Sequence, residues 1–369
     1  MIAPRPLLER RIIASLDDGR IPVLLGGCGA GRTSLLLGLE ARLGPAGGQY
    51  LDFAAAATTP EQCLRAVADA SRIGRVDGAP ASAKAAVAML LDFFDGASAA
   101  GAPKTFLIDE FLDVRTFENF PGLRHVQRDF IHRVAASPTR FALASRFTSR
   151  VHRLLRDAPA RFEVIHIPPL DGAEVAEAAR LLLGERLPAG DVAALVANLV
   201  QGRAACVHLL IEALGGMEPA PDPVAALAAM FAPGGRMTAR CRESYDLRLS
   251  RARGFGALRA ILGVLAEAEP LTLTEIAHAL HRTPGSTKDY LSWLEDVDLI
   301  AVRRKRYVFE DPLLRLYVRL HGRPVPPTDD DIVREVGRYA RGLFPATSPA
   351  AALAPELAPP DRSGIIEID

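Results

Sequence analysis

Lysine is almost missing from this chain. Four lysines (Lys84, Lys104, Lys288 and Lys305) stand against forty arginines. So strong a bias points to a GC-rich coding sequence. An arginine where a motif reserves a lysine therefore has drift as an available explanation. Cysteine is scarce as well. Cys28, Cys63, Cys206 and Cys241 are widely spaced and lack the pairing of metal ligands. They read as free thiols in a reducing cytoplasm. No apolar run approaches the roughly 20 residues that span a bilayer, and the first residues lack the apolar core of a signal peptide. A cytoplasmic protein without a membrane segment is expected. Net charge is also missing: 44 basic residues balance 44 acidic ones. Overall neutrality permits nucleic-acid contact without demanding it. No internal repeat is visible, which excludes a solenoid sensor array.

What is present begins with Gly26-Gly27-Cys28-Gly29-Ala30-Gly31-Arg32-Thr33-Ser34. The stretch fits the phosphate-binding pattern G-x-x-x-x-G-K-[ST], except that Arg32 replaces the lysine. A β-rich apolar run, Ile21 to Leu25, precedes it and a Leu-rich, proline-free segment follows. Strand, glycine loop and helix form the context the motif requires. Glycines let successive backbone N–H groups point at a phosphate, and the helix N-terminus adds partial positive charge. Thr33 would offer its hydroxyl to Mg²⁺. A guanidinium is larger than an ammonium, planar and forked, so the exchange at position 32 is not conservative. The competing reading is a glycine-rich turn without a ligand. Cys28 is either a point where alkylation would block the loop or plain filler.

A second apolar run, Thr105 to Ile108, ends in Asp109-Glu110, seventy-six residues beyond Thr33. At a strand end, such a pair suits an aspartate in a Mg²⁺ shell and a glutamate that orients or deprotonates water. A buried strand meeting a polar loop is the plain alternative. A third strand, Arg140 to Ser145, is followed by Arg146, and a fourth, Phe162 to Ile167, is preceded by Arg161. Ser145 could sense a γ-phosphate. Arg146 and Arg161 are candidate phosphate-reading arginines, acting within the chain or from a neighbouring subunit. Each is equally a solvated surface residue in so arginine-rich a chain. Between positions 121 and 161, nine arginines face only Asp129 and Asp157.

Alternating strands and helices up to about residue 170 argue for an α/β core with a parallel sheet. Residues 53–95 read mostly as helix, and 97–103 as a small-residue loop. Residues 171–245 carry helical patterns only and read as a lid, with a Gly/Pro-rich linker at 215–223. Residues 246–322 form a legible unit. A helix spans Phe255 to Ala268, and a second follows Thr272, which forms a capping box with Glu275. A third runs from Ser286 to Val297. Two short strands then flank Arg303-Arg304-Lys305-Arg306. This is the pattern of a winged helix-turn-helix. As a DNA reader it would offer Ser286, Thr287, Lys288 and Tyr290 to a groove and the wing residues Arg303, Arg304, Lys305 and Arg306 to phosphate. As a packing module it would dock on the core or on a protein partner. Asp289, Glu295 and Asp296 on the third helix weigh against DNA. A helix is expected at 331–343, and disorder at 347–369.

With both motifs, the lid and the winged helix assembled, the chain resembles P-loop ATPases of the AAA+ and STAND group, over roughly residues 4 to 322. It is most similar to archaeal-type ATPases that share a layout with origin-recognition ATPases. The resemblance rests on Arg5-Pro6-Leu7-Leu8-Glu9-Arg10 ahead of the first helix, on Gly26 to Ser34, on Asp109-Glu110, and on Ala144-Ser145-Arg146. Arg161-Phe162 resembles the Arg-Phe of AAA+ proteins, whose arginine acts across a subunit interface. Asp311-Pro312-Leu313-Leu314-Arg315-Leu316-Tyr317 resembles the segment that closes the winged helix. The resemblance implies ATP and Mg²⁺ as ligands, and Arg203 as a lid arginine that senses nucleotide. Gln201-Gly202-Arg203-Ala204-Ala205 lacks the Gly-x-Pro of STAND proteins. Two functions fit: an ATP-binding switch with slow or conditional hydrolysis, or a DNA-binding or adaptor protein whose ATPase core is scaffold. The first allows a homo-oligomer.

Overall fold

The computed structural model describes residues 5–71, 78–96, 104–184, 190–217, 222–249 and 254–344. The expected loop at 97–103, the middle of the linker at 218–221 and the expected disordered tail at 347–369 lie outside them. Five strands, β1 (Ile21–Leu25), β2 (Gly48–Asp52), β3 (Thr105–Asp109), β4 (Arg140–Ser145) and β5 (Phe162–His166), form one sheet in the order β2-β3-β4-β1-β5. Every pairing is parallel. β1 and β3 are buried along their whole length. Helices cover both faces, so these strands read as unbroken apolar runs rather than as alternations. Residues still alternate between faces. Phe106, Ile108, Phe141 and Leu143 point into one core, and Leu107, Ala142 and Ala144 into the other. The first core is aromatic, with Phe94 and Phe106 edge to face at 4.8 Å.

β2 is absent from the sequence reading. Gly48-Gln49-Tyr50-Leu51-Asp52 mixes polar and apolar residues, so no apolar run stands out, and it pairs with β3 at the edge of the sheet. The run read as mostly helix over 53–95 contains three helices, Phe53–Ala56, Pro60–Ala70 and Ala83–Gly96.

After β5, the helices Gly172–Leu183, Gly190–Leu199 and Ala204–Gly215 follow, then Pro223–Phe231 and Arg236–Leu249. Asp171 and Glu174 form a capping box that starts the first of these. Helices Phe255–Ala268, Leu273–Ala279 and Pro284–Asp296 precede an antiparallel pair, β6 (Ile300–Arg303) and β7 (Arg306–Phe309). The capping box of Thr272 and Glu275 is present. Arg304 and Lys305 make the turn between the strands with left-handed backbone. Helix Pro312–His321 begins on an Asp311 cap, and Asp329–Leu343 closes the described chain. One continuous apolar cluster runs from Leu170 through Leu210, Phe231 and Leu262 to Leu314 and Ala340. The helices from Gly172–Leu183 to Asp329–Leu343 and the β6–β7 pair therefore share one core.

Candidate functional site

In a parallel sheet, the residues that follow each strand collect along one edge. Here that edge gathers the glycine loop after β1, Asp109-Glu110 at the end of β3, and Arg146 after β4. Gly29 and Gly31 have φ of +82° and +93°, values that side chains resist. Gly31 leads into helix Arg32–Leu43 without a side-chain cap. Among the described residues, the N–H groups of Cys28, Gly29, Gly31, Arg32 and Thr33 meet no acceptor. Thr33 Oγ1 donates to Asp109 Oδ2 at 2.5 Å, and Tyr50 Oη adds a donor to the same oxygen at 3.3 Å. Burial, helped by the Asp109 charge, holds the Tyr50 phenol well above its ordinary pKa. A hydroxyl beside a carboxylate at the start of a helix is a donor set suited to Mg²⁺.

Arg32 is buried, with 8% of its surface exposed. Its Nη1 folds back and donates to the carbonyls of Gly26 and, at 2.8 Å, Gly27. Nη2 donates to Glu110 Oε1 at 2.8 Å. Glu110 also forms an ion pair with Arg146 Nε at 2.9 Å, and its Oε2 accepts the Arg146 backbone N–H at 3.2 Å. It is 5% exposed and has left-handed backbone, φ +52°. A glutamate in that conformation needs a surrounding that dictates it. Here the two arginines hold the carboxylate, and Asp109 Oδ1 accepts the Glu110 N–H at 3.0 Å.

Helix Arg236–Leu249 lies across the loop. Arg240 packs on Gly29, where any Cβ would collide with its guanidinium. Arg248 Nη2 donates to Cys28 Sγ at 3.7 Å, while its Nη1 donates to Asp298 O at 3.1 Å. Burial pushes the Cys28 thiol up. Arg248, a Ser244 hydrogen bond, Arg146 and Arg32 outweigh that effect, and its pKa falls below the usual value. The start of helix Ala204–Gly215 is tied in as well, since the Ala205 N–H donates to Gly29 O at 3.0 Å. Arg203 approaches Gly27, but its Nη1 donates to Asp311 Oδ2 at 2.6 Å. Cys28, Arg32, Thr33, Asp109, Arg146 and Arg240 are among the walls of a cavity of about 250 Å³.

Three candidate residues are otherwise engaged in this structure. Arg161 sits at the opposite edge of the sheet, because it precedes a strand parallel to β1. It donates to the carbonyls of Gly19, Ala135 and Ser137 at 3.1, 2.6 and 3.0 Å and ties loops together there. Ser145 is fully buried and its Oγ accepts the Phe147 N–H at 3.1 Å, so its hydroxyl serves its own turn. Thr287 is fully buried and donates to Thr283 O at 3.0 Å, so it is not available to a groove. Lys288, Arg304 and Lys305 are exposed. Arg306 is paired with Glu275 at 3.2 Å and Arg303 with Glu310 at 3.9 Å. Ser34 is exposed on the helix, and Ala30, within the loop, packs against the core that holds Leu24 and Leu36.

Arg240, Ser244 and Arg248 were missed as site residues. Their i, i+4, i+8 spacing is a legible helix face, but the sequence does not say what that face covers.

Neither a family model nor a curated protein matches the sequence. Solved structures do match. The Walker-type ATPase PABY2304 of Pyrococcus abyssi superposes with a TM-score of 0.65 at 16% identity, over 86% of this chain and 96% of that one. The ORC2 protein of Aeropyrum pernix, solved as ADPNP–ADP complexes, superposes with a TM-score of 0.51 at 14% identity, over 91% and 93%. The chain has the α/β P-loop ATPase fold shared by these Walker-type and origin-recognition proteins.

Proposed function

We propose that this chain is an ATP-binding AAA+/STAND-type switch whose hydrolysis is slow because its water-activating glutamate is held back. One observation carries the reading. Arg32, the residue that departs from the motif, pairs with Glu110 and not with open solvent. The free N–H groups of the loop would receive the phosphates. Thr33 and Asp109 would hold Mg²⁺, whose charge would offset that of the phosphates. Glu110 would orient water, but only once it leaves the arginines. Arg146, which lines the cavity at the loop, and Arg240, which packs on Gly29, are placed for charge that develops in phosphoryl transfer. The lid helix covers the site, so nucleotide entry would move Arg240 and Arg248. Arg248 reaches Asp298, which accepts from Ser149 N–H and Oγ at 3.1 and 2.6 Å. Loop, lid and helix–wing unit would thus respond together.

The test is steady-state turnover measured beside light scattering, with and without ATP. Turnover well below the roughly 1 s⁻¹ at the low end of ordinary enzymes is expected. Fast turnover by the monomer, with no change of mass or shape on adding ATP, would contradict the switch.

A second reading, DNA binding through the wing, draws on Lys288, Arg304 and Lys305, which are exposed and have no ion pair among the described residues. Gel shift on random duplex over a salt series decides it. Phosphate contacts predict a steep loss of affinity with salt, and no shift at low salt leaves a protein partner.

A further inference from the structure

A second cavity, of about 530 Å³, lies between the core and the helix–wing unit. Arg115, Arg128, Arg146, Arg150, Arg153 and Arg248 line it, against Asp113, Glu118, Asp157 and Asp296. Most of these arginines are engaged. Arg115 pairs with Glu118 at 3.6 Å, Arg153 with Asp296, and Arg146 with Glu110. Arg248 donates to Asp298 O and Cys28. Two are not. Among the described residues, neither Arg128 nor Arg150 has a carboxylate within ion-pair distance. Arg150 is half-buried over the Phe147 ring at 4.9 Å, and its buried Nε has no hydrogen-bond partner. Burial, with Arg115 close by, pulls its pKa down. Stacking uses the face of a guanidinium, while its donors lie in its plane and still need acceptors. Asp296 and Asp298 act on Arg150 only from beyond ion-pair distance, and a partly desolvated cation without a direct ion pair is costly.

We propose that this cleft binds a ligand carrying two or more phosphate groups, held between Arg128 and Arg150. The two residues come from separate helices, Val126–Ala136 and Thr148–Leu155. A guanidinium matches a phosphate through two parallel N–H donors. The cavity is about twice the volume of the one at the glycine loop, which leaves room for several phosphates. They would come either from a free oligophosphate or from the backbone of a single nucleic-acid strand.

Trp293, the only tryptophan in the chain, lines the cleft and reports on it directly. The experiment titrates the full chain with tripolyphosphate and, separately, with an eight-nucleotide thymidine strand, following Trp293 emission. A saturable change is expected with at least one probe. Tripolyphosphate alone identifies the free source, and the strand alone identifies the backbone source. Arg150→Ala and Arg128→Ala should each weaken binding at least tenfold. Arg128 is exposed, so its removal spares the fold, and Arg150→Lys should restore part of what Arg150→Ala loses. Arg32→Ala should leave this binding unchanged. No saturation with either probe, or equal affinity in the Arg128 and Arg150 variants, would overturn the proposal. Loss in Arg32→Ala alone would assign the signal to the glycine loop, overturning the cleft site while leaving the ATP reading intact.

Discussion

Arg32→Lys is the substitution that speaks most directly to the departure at position 32. The guanidinium makes contacts on two sides: two loop carbonyls through Nη1 and Glu110 through Nη2. One ammonium on a shorter stem does not serve both. Glu110 keeps Arg146 at 2.9 Å, so it is not stranded as a lone buried charge, a condition that costs about 3–5 kcal/mol. The loss is nearer that of one charge-assisted hydrogen bond, about 1.5–3 kcal/mol. If that bond must break before Glu110 acts, removing it lowers the barrier by a similar amount. Turnover then rises by roughly 10- to 100-fold, at a factor of ten per ~1.4 kcal/mol. Folding stability falls by the same few kcal/mol. A steady-state phosphate-release assay reads the first effect and urea unfolding the second. Turnover that falls in Arg32→Lys, at unchanged ATP affinity, would refute the reasoning and give the guanidinium a dedicated catalytic task.

Arg161→Ala should lower stability by about 2–4 kcal/mol through its lost carbonyl bonds. It should leave turnover per folded molecule unchanged, and a loss of about 10³-fold, typical of a catalytic arginine, would restore a role across subunits. The Cys28 thiol should react with iodoacetamide at lower pH than an ordinary cysteine, because the surrounding arginines favour its thiolate. The same linkage stabilises the fold above the ordinary thiol pKa and is lost as pH falls through the lowered one. Arg248→Ala should raise the midpoint of the alkylation profile and ATP should slow the reaction; a midpoint at or above the usual thiol value would contradict the electrostatics.

The glycine loop and Asp109-Glu110 were legible because each joins an apolar strand to residues with narrow geometric uses. The three helices and the strand pair β6–β7 were legible because a capping box and a basic turn punctuate the chain clearly. The position of Arg161 was hidden because adjacency to a strand says nothing about which end of the sheet a residue occupies. Parallel pairing with β1 puts residues before β5 at the far edge. Edge strand β2 was hidden because it mixes polar and apolar residues and is only partly buried. The partners of Arg32 were hidden because two chain segments, seventy-eight residues apart, meet only in the folded sheet. Most of helix Arg236–Leu249 fell within the segment read as all-helical, but the covering of the loop by its Arg240 and Arg248 is a tertiary fact.

Calorimetric titration of the wild-type chain with ATP and Mg²⁺, beside Thr33→Ala and Asp109→Ala, tests the central claim most directly. The account predicts saturable binding of one nucleotide per chain, weakened in both variants and less Mg²⁺-dependent in them. No binding at millimolar nucleotide, or equal binding by all three proteins, would contradict it.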